Sequence, residues 1–396
     1  MTHTQEERGI AKFTMGIGVL LLCAFGITVS NSMVFPALSD LQDAYGFSNA
    51  GLGYISAAGF MASFVVQLLV APYADRGEPK RLVLAGLVIA ACGSVLFAFG
   101  NSLWLFVIAR GLAGASLGCS GPAIRAIAAN IDKSRAAERL GRLRGIELAG
   151  FTGGPLIGAL LIEPFGIRGA FLIFGGVAFV SFIVVAPRKL PALPSSAESN
   201  KSSFGLLRIR PVRAAALASL TLFIPVGIYD SLWDRYITDR GGNNFMVGLT
   251  FLLYTIPFIM MGASGGRLAD RRGPSQMVVI GIMATVPLVF IYGVITSAWV
   301  LVALAVVEGI VGALSIPAAQ SLMAMVAPVG RASAAQGLMG SGDLLAATVM
   351  SLIAPSIYGR YGPEATFGFA AVLMIISGTA VALMLRTTAV SRNNMS

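Results

Sequence analysis

Three ionisable residues lie deep inside long apolar segments of this 396-residue chain: Arg110, Glu308 and Asp343. A charged side chain surrounded by hydrocarbon costs free energy, so residues of this kind usually serve a function. A carboxylate removed from water can take up a proton and release it when its surroundings change. The sequence therefore predicts proton binding at Glu308 first and Asp343 second, with Arg110 tuning Glu308. A static ion pair between helices is the alternative.

Other kinds of chemistry have little support in the sequence. The single histidine is His3, and the three cysteines, Cys23, Cys92 and Cys119, are scattered through apolar segments. The chain has no His-based triad, no clustered His and Cys ligands for a metal, and no Walker loop for a nucleotide phosphate. We therefore expect no cofactor, no metal and no enzymatic activity. A multi-pass membrane enzyme or receptor remains a remote alternative.

The elements that carry these residues are membrane spans. Hydrophobic residues make up 56% of the chain and charged residues 12%, whereas a soluble domain has about 25% charged residues. A helix that crosses a bilayer needs about 20 mostly apolar residues. The predicted fold is all-α and membrane-integral, with twelve transmembrane helices at residues 13–35, 51–71, 82–100, 103–126, 142–162, 169–186, 212–234, 245–265, 276–295, 298–323, 334–356 and 365–385.

The net charge of +10 is distributed in a way that predicts orientation rather than nucleic-acid binding. With the N-terminus inside the cell, 22 of the 28 Lys and Arg residues fall in cytoplasmic tails and loops; the others are Arg110, Arg125, Arg168, Arg235, Arg240 and Arg360. This is the positive-inside bias. A nucleic-acid surface would need its cations on one contiguous face. We expect a multi-pass protein of the inner or plasma membrane with both termini in the cytoplasm.

The chain also repeats itself internally. The segment YADRG at residues 73–77 returns 195 residues later as LADRR at residues 268–272. The segment RGLAGA at residues 110–115 is matched by EGIVGA at residues 308–313. Two halves of about six spans each are typical of secondary transporters. We therefore predict pseudo-symmetric six-helix bundles at residues 1–186 and 213–396, joined by a cytoplasmic linker at residues 187–212.

Three motifs resemble those of the Major Facilitator Superfamily. The loop after the second span resembles the family's G-x-L-A-D-R-x-G-R-K motif, and residues 266–273 carry a cleaner copy. Arg110 with Gly114 is similar to the motif of the fourth span. The fifth span resembles the antiporter motif G-x8-G-x3-G-P-x2-G-G through Gly141, Gly150, Gly154, Pro155 and Gly158.

The resemblance implies a secondary transporter, and the antiporter motif favours proton-coupled export of small amphipathic compounds or drugs. A proton symporter or facilitator that imports a nutrient is the alternative. The family motifs imply gating roles for Asp75, Arg76, Gly150, Gly154, Pro155, Gly158, Asp270 and Arg271. We expect Asp75 and Asp270 to latch the cytoplasmic side, and the glycine face of the fifth span to pack against a helix of the other half when the outer side is closed.

The first, fourth, seventh and tenth spans are expected to line a central cavity. Its candidate substrate-contacting residues are Asn31, Met33, Arg110, Trp233 and Glu308. Asp230 and Asp234, one helical turn apart at the outer end of the seventh span, are candidates for an outer gate; a solvated helix end is the alternative. The expected partners are a small-molecule substrate, protons and the lipid bilayer, and the expected state is a monomer. The sequence does not identify the substrate.

Overall fold

The computed structural model describes residues 3–74, 79–130, 136–188, 203–328 and 331–393, and these residues form helices and no β-strand. Two short 3₁₀ helices, Phe35–Ala37 and Ser203–Arg208, accompany the α-helices. The α-helices are α1 (His3–Ser32), α2 (Leu38–Tyr45), α3 (Asn49–Ala74), α4 (Pro79–Phe99), α5 (Leu103–Asn130), α6 (Ala136–Val185), α7 (Arg210–Thr238), α8 (Asn244–Arg272), α9 (Pro274–Val294), α10 (Ala298–Val326) and α11 (Ala332–Asn393).

Two of these helices are too long to cross a membrane only once. Helix α6 has 50 residues and α11 has 62, whereas about 20 residues span a bilayer. Each contains one glycine with non-helical backbone angles: Gly166 (φ 67°, ψ 171°) and Gly362 (φ 83°, ψ −178°). A positive φ is strained for residues with a Cβ, so glycine permits the turn. Each of these two helices therefore consists of two arms. The described residues contain ten helices that are long and apolar enough to cross a membrane, and counting both arms of α6 and α11 gives twelve segments.

Contacts with α1 show that the two arms of α6 run in opposite directions. Along α1, Gly26 lies beside Ser181, and Ser30 donates a hydrogen bond to the carbonyl of Phe174 at 2.9 Å. The other arm runs parallel to α1, because Gly150 lies beside Thr28 and Gly158 lies beyond it at Met33. These contacts and the length of α6 confirm the predicted all-α membrane fold.

The sequence did not predict α2. The first predicted span continued to residue 35, but α1 ends at Ser32 and the 3₁₀ helix Phe35–Ala37 follows. Helix α2 then adds eight residues, whose buried side chains are Leu38, Ser39, Leu41 and Gln42. Its apolar content is too low for a span, and Pro36 separates it from the preceding apolar run. A short helix between two spans is therefore easily missed in the sequence.

The chain divides into two compact units. The first comprises Met1–Ala37 and Met61–Ser199, and the second comprises Leu38–Phe60 and Asn200–Ser396. The segment Leu38–Phe60, which contains α2 and the first half of α3, therefore packs with the second unit. The predicted division into residues 1–186 and 213–396 stays a prediction. Helix α7 begins at Arg210, with Pro211 in its first turn, where a missing N–H costs no hydrogen bond.

In the first unit, the glycine face of α6 packs against α1. A Cβ on Gly150 would overlap the Thr28 hydroxyl, and one on Gly154 would overlap the Ser32 hydroxyl. The expectation that this face meets a helix of the other half is therefore wrong, because its nearest neighbours belong to the same unit. Helical spacing identified which face is flat, but it does not identify the helix that covers it. Buried Pro155 lies on the same segment.

We predict that Gly154→Leu lowers the stability of the purified protein, because a leucine there would force α1 and α6 apart. Overpacking of this kind costs about 1–3 kcal/mol. Gly153→Leu is the matched control, since its Cβ would meet only Ile157, at 3.9 Å. Thermal unfolding in detergent should show a lower midpoint for Gly154→Leu and an unchanged midpoint for Gly153→Leu. Equal midpoints would mean that close approach of α1 and α6 is not required.

Candidate functional site

Glu308 of α10 is held by two tyrosine hydroxyls in the second unit. Its carboxylate accepts hydrogen bonds from Tyr229 of α7 at 2.8 Å and from Tyr292 of α9 at 2.9 Å. A Cβ on Gly309 of α10 would overlap the backbone carbonyl of Tyr254 on α8. Glycine therefore lets α8 and α10 approach closely beside the site. Three helices thus bring two phenols to one carboxylate.

Aromatic packing fixes those tyrosines. Trp233, one turn after Tyr229 on α7, meets the Tyr229 ring edge-on, with centroids 5.2 Å apart, and meets Tyr292 at 5.0 Å. Trp233 and Tyr292 are 3% and 0% exposed and belong to the core of the second unit. T-shaped ring pairs are a favoured geometry. Trp233, predicted to line the cavity, therefore supports the residues that bind Glu308.

The surroundings of Glu308 differ from those of a static ion pair. Among the described residues, the ion pairs of buried carboxylates include Glu147 with Arg125 at 3.0 Å and with Arg144 at 3.3 Å. No ion pair of Glu308 is found in that part of the chain. A phenol can donate to a carboxylate and can accept from a carboxylic acid. The two tyrosines can therefore bond Glu308 in either protonation state.

Asp343 is a second acidic group in the same unit. It lies on the first arm of α11, is 7% exposed, and faces Ser219 of α7. Its Oδ1 atom has no hydrogen-bond partner. No ion pair of Asp343 is found among the described residues. Both predicted proton-binding carboxylates are thus removed from cations within the part of the chain that is described.

Arg110 of α5 is fixed to α1 in the first unit. Its Nη1 donates to the backbone carbonyl of Asn31 at 2.6 Å and to the Asn31 side-chain oxygen at 3.0 Å. Its guanidinium lies 5.2 Å from the centroid of the Phe35 ring. Two predicted cavity residues, Asn31 and Arg110, are thus brought together. Met33 is fully buried against Gly158. The predicted tuning of Glu308 by Arg110 stays a prediction.

The segment Leu38–Phe60, here called the clasp, is bound to α7 by polar groups. Asp234 of α7 accepts a hydrogen bond from the backbone N–H of Ser39 at 2.6 Å. Arg235 pairs with Asp43 of α2 at 2.6 Å, and Asn244 of α8 donates to Asp40 at 2.6 Å. These contacts join the whole length of α2 to the α7–α8 end of the second unit.

The α3 part of the clasp is bound to α7 and α11. Ser56 donates to the carbonyl of Asp230 at 3.0 Å. A Cβ on Gly53 would overlap the carbonyl of Ser351 on α11, so the two helices touch through their backbones. Asp230 and Asp234 are only 5% and 2% exposed, which does not fit the alternative of a solvated helix end. Both residues lie in the contact between the clasp and α7.

The predicted cytoplasmic latch is largely beyond what the structure describes. Asp75 and Arg76 lie outside the described residues, as does the side chain of Asp270. Arg271 is exposed at the C-terminal end of α8. The gating roles of these four residues stay predictions.

Sequence reasoning missed the partners of the predicted residues. Tyr229 and Tyr292 are polar-tipped residues within apolar spans, and buried tyrosines usually need a hydrogen-bond partner, which was an available signal. Ser39 was unpredictable, because its backbone N–H, rather than its side chain, binds Asp234. Gly53 belongs to no sequence motif. Only the crossing of α3 with α11 shows that it permits close contact between the two helices.

Comparisons with known proteins agree with this fold. The Major Facilitator Superfamily model matches residues 20–232 and 215–394. The chain is similar to "Multidrug resistance protein MdtG" of Proteus mirabilis (strain HI4320), at 25% identity over 87% of this chain and 90% of that protein. It is also similar to the protein of the same name from Enterobacter lignolyticus (strain SCF1), at 24% identity over 90% of this chain and 89% of that protein.

Two solved structures share the fold. One is a mutant of the nucleoside transporter NupG, with a TM-score of 0.78 and 13% identity over 93% of this chain and 99% of that one. The other is a bacterial homolog of the human lysosomal transporter Spinster, in an inward-facing and unoccupied conformation. Its TM-score is 0.78 at 13% identity, over 94% and 97% of the two chains. At these identities the likeness concerns the fold alone.

The contact of the clasp with α11 predicts a specific disulfide. A Cβ on Gly359 would lie 3.5 Å from the Cβ of Asn49, within the range that disulfides require. We predict that Asn49→Cys and Gly359→Cys together, in a chain with Cys23, Cys92 and Cys119 replaced by alanine, form a disulfide under mild oxidation. Mass spectrometry of the purified protein would detect it. The single variants serve as controls, and two free thiols in the double variant would contradict the contact.

Proposed function

This chain belongs to the Major Facilitator Superfamily, and from that premise we propose that it exports small amphipathic organic compounds in exchange for protons. As a member of the family it is a multi-pass membrane transporter and not an enzyme. The direction of transport, the coupling ion and the class of compound are the parts that we propose.

The setting of Glu308 carries the proposal of proton coupling. A carboxylate in a membrane span, bonded to two neutral hydroxyls at 2.8 and 2.9 Å, is suited to exist in two protonation states. Glu147, in contrast, is paired with two arginines, at 3.0 and 3.3 Å. Because the tyrosines come from α7 and α9, protonation of Glu308 on α10 changes the bonding among three helices. Such a change can bias the two access states.

Two observations support export. The α6 segment with Gly150, Gly154, Pro155 and Gly158 resembles the antiporter motif, and in the structure it brings α6 against α1. The relatives cited above carry the name of multidrug resistance proteins, at 25% and 24% identity. A multidrug relative favours an amphipathic, membrane-soluble substrate over a strongly polar nutrient.

The distribution of charge supports the proposed orientation. With both termini in the cytoplasm of a bacterial inner membrane, the clasp and the α7–α8 turn lie on the outer side. The clasp then serves as the outer gate, with Asp230 and Asp234 as its residues on α7. Release of an exported compound requires the clasp to leave α7 and α11. The cytoplasmic latch formed by Asp75 and Asp270 would act on the opposite side.

We predict that Glu308→Gln abolishes proton-driven accumulation and keeps substrate binding, because the amide imitates the protonated carboxyl and cannot release a proton. The measurement uses inside-out vesicles, an imposed pH gradient and a panel of fluorescent amphipathic compounds, with binding measured separately on purified protein. Glu364→Gln, which removes an exposed carboxylate of the same unit, is the matched control and should transport normally.

Each other outcome points to a specific revision. Normal proton-coupled transport by Glu308→Gln would overturn the coupling role of Glu308. Asp343 would then be the candidate for that role, to be tested with Asp343→Asn. Proton-driven movement of the compounds out of inside-out vesicles, in the direction opposite to export, would favour the importing symporter. No response to the gradient in the unmodified protein would favour a facilitator.

We predict that the cross-linked pair at positions 49 and 359 stops transport. The disulfide would keep the clasp on α11, so a compound bound from inside could not leave. Transport should fall by at least about tenfold on oxidation and return on reduction, because only the covalent bond differs between the two measurements. Full transport by the oxidised, cross-linked protein would show that the clasp does not have to open.

A further inference from the structure

An apolar groove on the first unit lies between α4 and the part of α6 that follows Gly166, here called the second arm of α6. Its volume is about 680 Å³, within the range of pockets that bind drug-sized molecules. Residues of both helices line the groove, among them Val88, Val95, Phe99, Leu172, Gly176 and Phe179. None of the described residues that line it carries a charge or a hydroxyl group.

Close packing fixes the two helices that form the groove. The rings of Phe97 on α4 and Phe171 on α6 stack with their centroids 4.7 Å apart. A Cβ on Gly175 would lie 3.0 Å from the Cβ of Ser94, so the two helix backbones approach closely there. A Cβ on the adjacent Gly176 would meet no atom within 4 Å. The helices therefore touch at Gly175, and the missing side chain of Gly176 leaves the space beside that contact unfilled.

The groove begins where both helices end and stops near their middle. Phe99 is the last residue of α4, and the second arm of α6 starts after Gly166. From Phe99 back to Val88 the groove follows α4 for about 16 Å, at 1.5 Å per residue. The hydrocarbon core of a bilayer is about 30 Å thick, so this length corresponds to one of the two leaflets. Under the proposed orientation it is the outer leaflet.

A cation lies at the end of the groove that meets the membrane surface. Trp104, at the start of α5, is 65% exposed, and tryptophan is enriched where membrane meets water. Arg168 is exposed and lies one helical turn before Leu172. Side chains of a helix lean toward its N-terminus, so the guanidinium of Arg168 can reach the lipid headgroups. No ion pair of Arg168 is found within the described ranges.

The chemistry of the groove indicates what occupies it. A buried water molecule needs about two to four polar partners, and the lining offers apolar surface. An acyl chain is the apolar group that a bilayer provides at this depth. Because lipid tails are as apolar as the groove, a chain gains little by exchanging bilayer for protein. Binding tighter than ordinary contact with bilayer lipid therefore has to come from the polar end, at Arg168.

We propose that the groove is a binding site for one phospholipid, with an acyl chain between α4 and the second arm of α6 and the phosphate bound to Arg168. A guanidinium can donate two parallel hydrogen bonds to a phosphate. The acyl chain fills the space beside Gly175 that Gly176 leaves open. This site belongs to the first unit, whereas Glu308 and the clasp belong to the second. It requires neither a direction of transport nor a coupling ion.

The first test measures lipid binding to the purified chain by native mass spectrometry. It compares phosphatidylglycerol with a diacylglycerol of the same acyl chains, which lacks the phosphate. Phosphatidylglycerol should bind at least about tenfold more tightly, as expected for hydrogen bonds between charged groups. Arg168→Gln should remove this difference by weakening phosphatidylglycerol alone. Arg360→Gln is the matched control: it removes an exposed arginine beside the corresponding turn at Gly362 and should leave both affinities unchanged.

The second test locates the lipid through Cys92, whose exposed thiol lines the groove. In a chain with Cys23 and Cys119 replaced by alanine, phosphatidylglycerol should slow the alkylation of Cys92 by a small maleimide several-fold. Gly176→Leu fills the groove, so the alkylation rate should no longer depend on the lipid. Gly368→Leu is the matched control, because Gly368 is a half-buried helical glycine whose Cβ would also meet no atom within 4 Å. Protection should persist in that variant.

Four outcomes would overturn the proposal. Two of them are equal affinities of the unmodified chain for the two lipids, and an alkylation rate of Cys92 that phosphatidylglycerol does not change. A dimer that Gly176→Leu dissociates would assign the groove to a second copy of the chain. Protection of Cys92 by the amphipathic compounds of the transport panel, and not by the phospholipid, would assign it to the substrate. None of these measurements uses a gradient, so their failure would leave the transport test of Glu308 unaffected.

Discussion

Backbone contact between helices is the constraint on which the positions of the functional residues depend. Hydrocarbon surrounds the helices, so apolar side chains gain little by turning toward one another, and close packing has to supply the attraction. The first unit achieves it with glycines on α6 against α1, and the second with Gly227 of α7 against Ala347 of α11. In the first unit the glycines lie on α6, the later helix of its pair. In the second unit the glycine lies on α7, the earlier helix of its pair. Asn31 and Tyr229 keep their places because these pairs hold α1 and α7.

The buried carboxylates of this protein are stabilised in three different ways. Glu147 has two arginines, Glu308 has two tyrosine hydroxyls, and Asp234 has a backbone amide. The two arginines supply positive charge that compensates the carboxylate of Glu147. The tyrosine hydroxyls and the backbone amide donate hydrogen bonds but carry no charge. The three carboxylates therefore differ in the charge and in the hydrogen-bond donors of their surroundings.

The sequence predicted which ionisable residues are buried within spans better than it predicted the contacts of those residues. Apolar length identified the spans, and charge within a span identified Glu308 and Asp343, because both signals are local. The donors of Glu308 come from α7 and α9, so they depend on which helices are neighbours, and no local pattern contains that. The glycine face of α6 was found, but its partner was assigned to the other half. Helix α2 was missed because eight half-polar residues after Pro36 resemble a loop.

The two turns inside α6 and α11 have a consequence for how the protein can be cleaved. Gly166 and Gly362 each reverse the chain without a loop, and Pro164 and Pro363 stand beside them. A protease needs several extended residues to bind a substrate. Residues 163–166 and 359–361 are exposed, but they lie in helix and offer no extended stretch. Proteolytic cleavage should therefore occur at other segments of the chain.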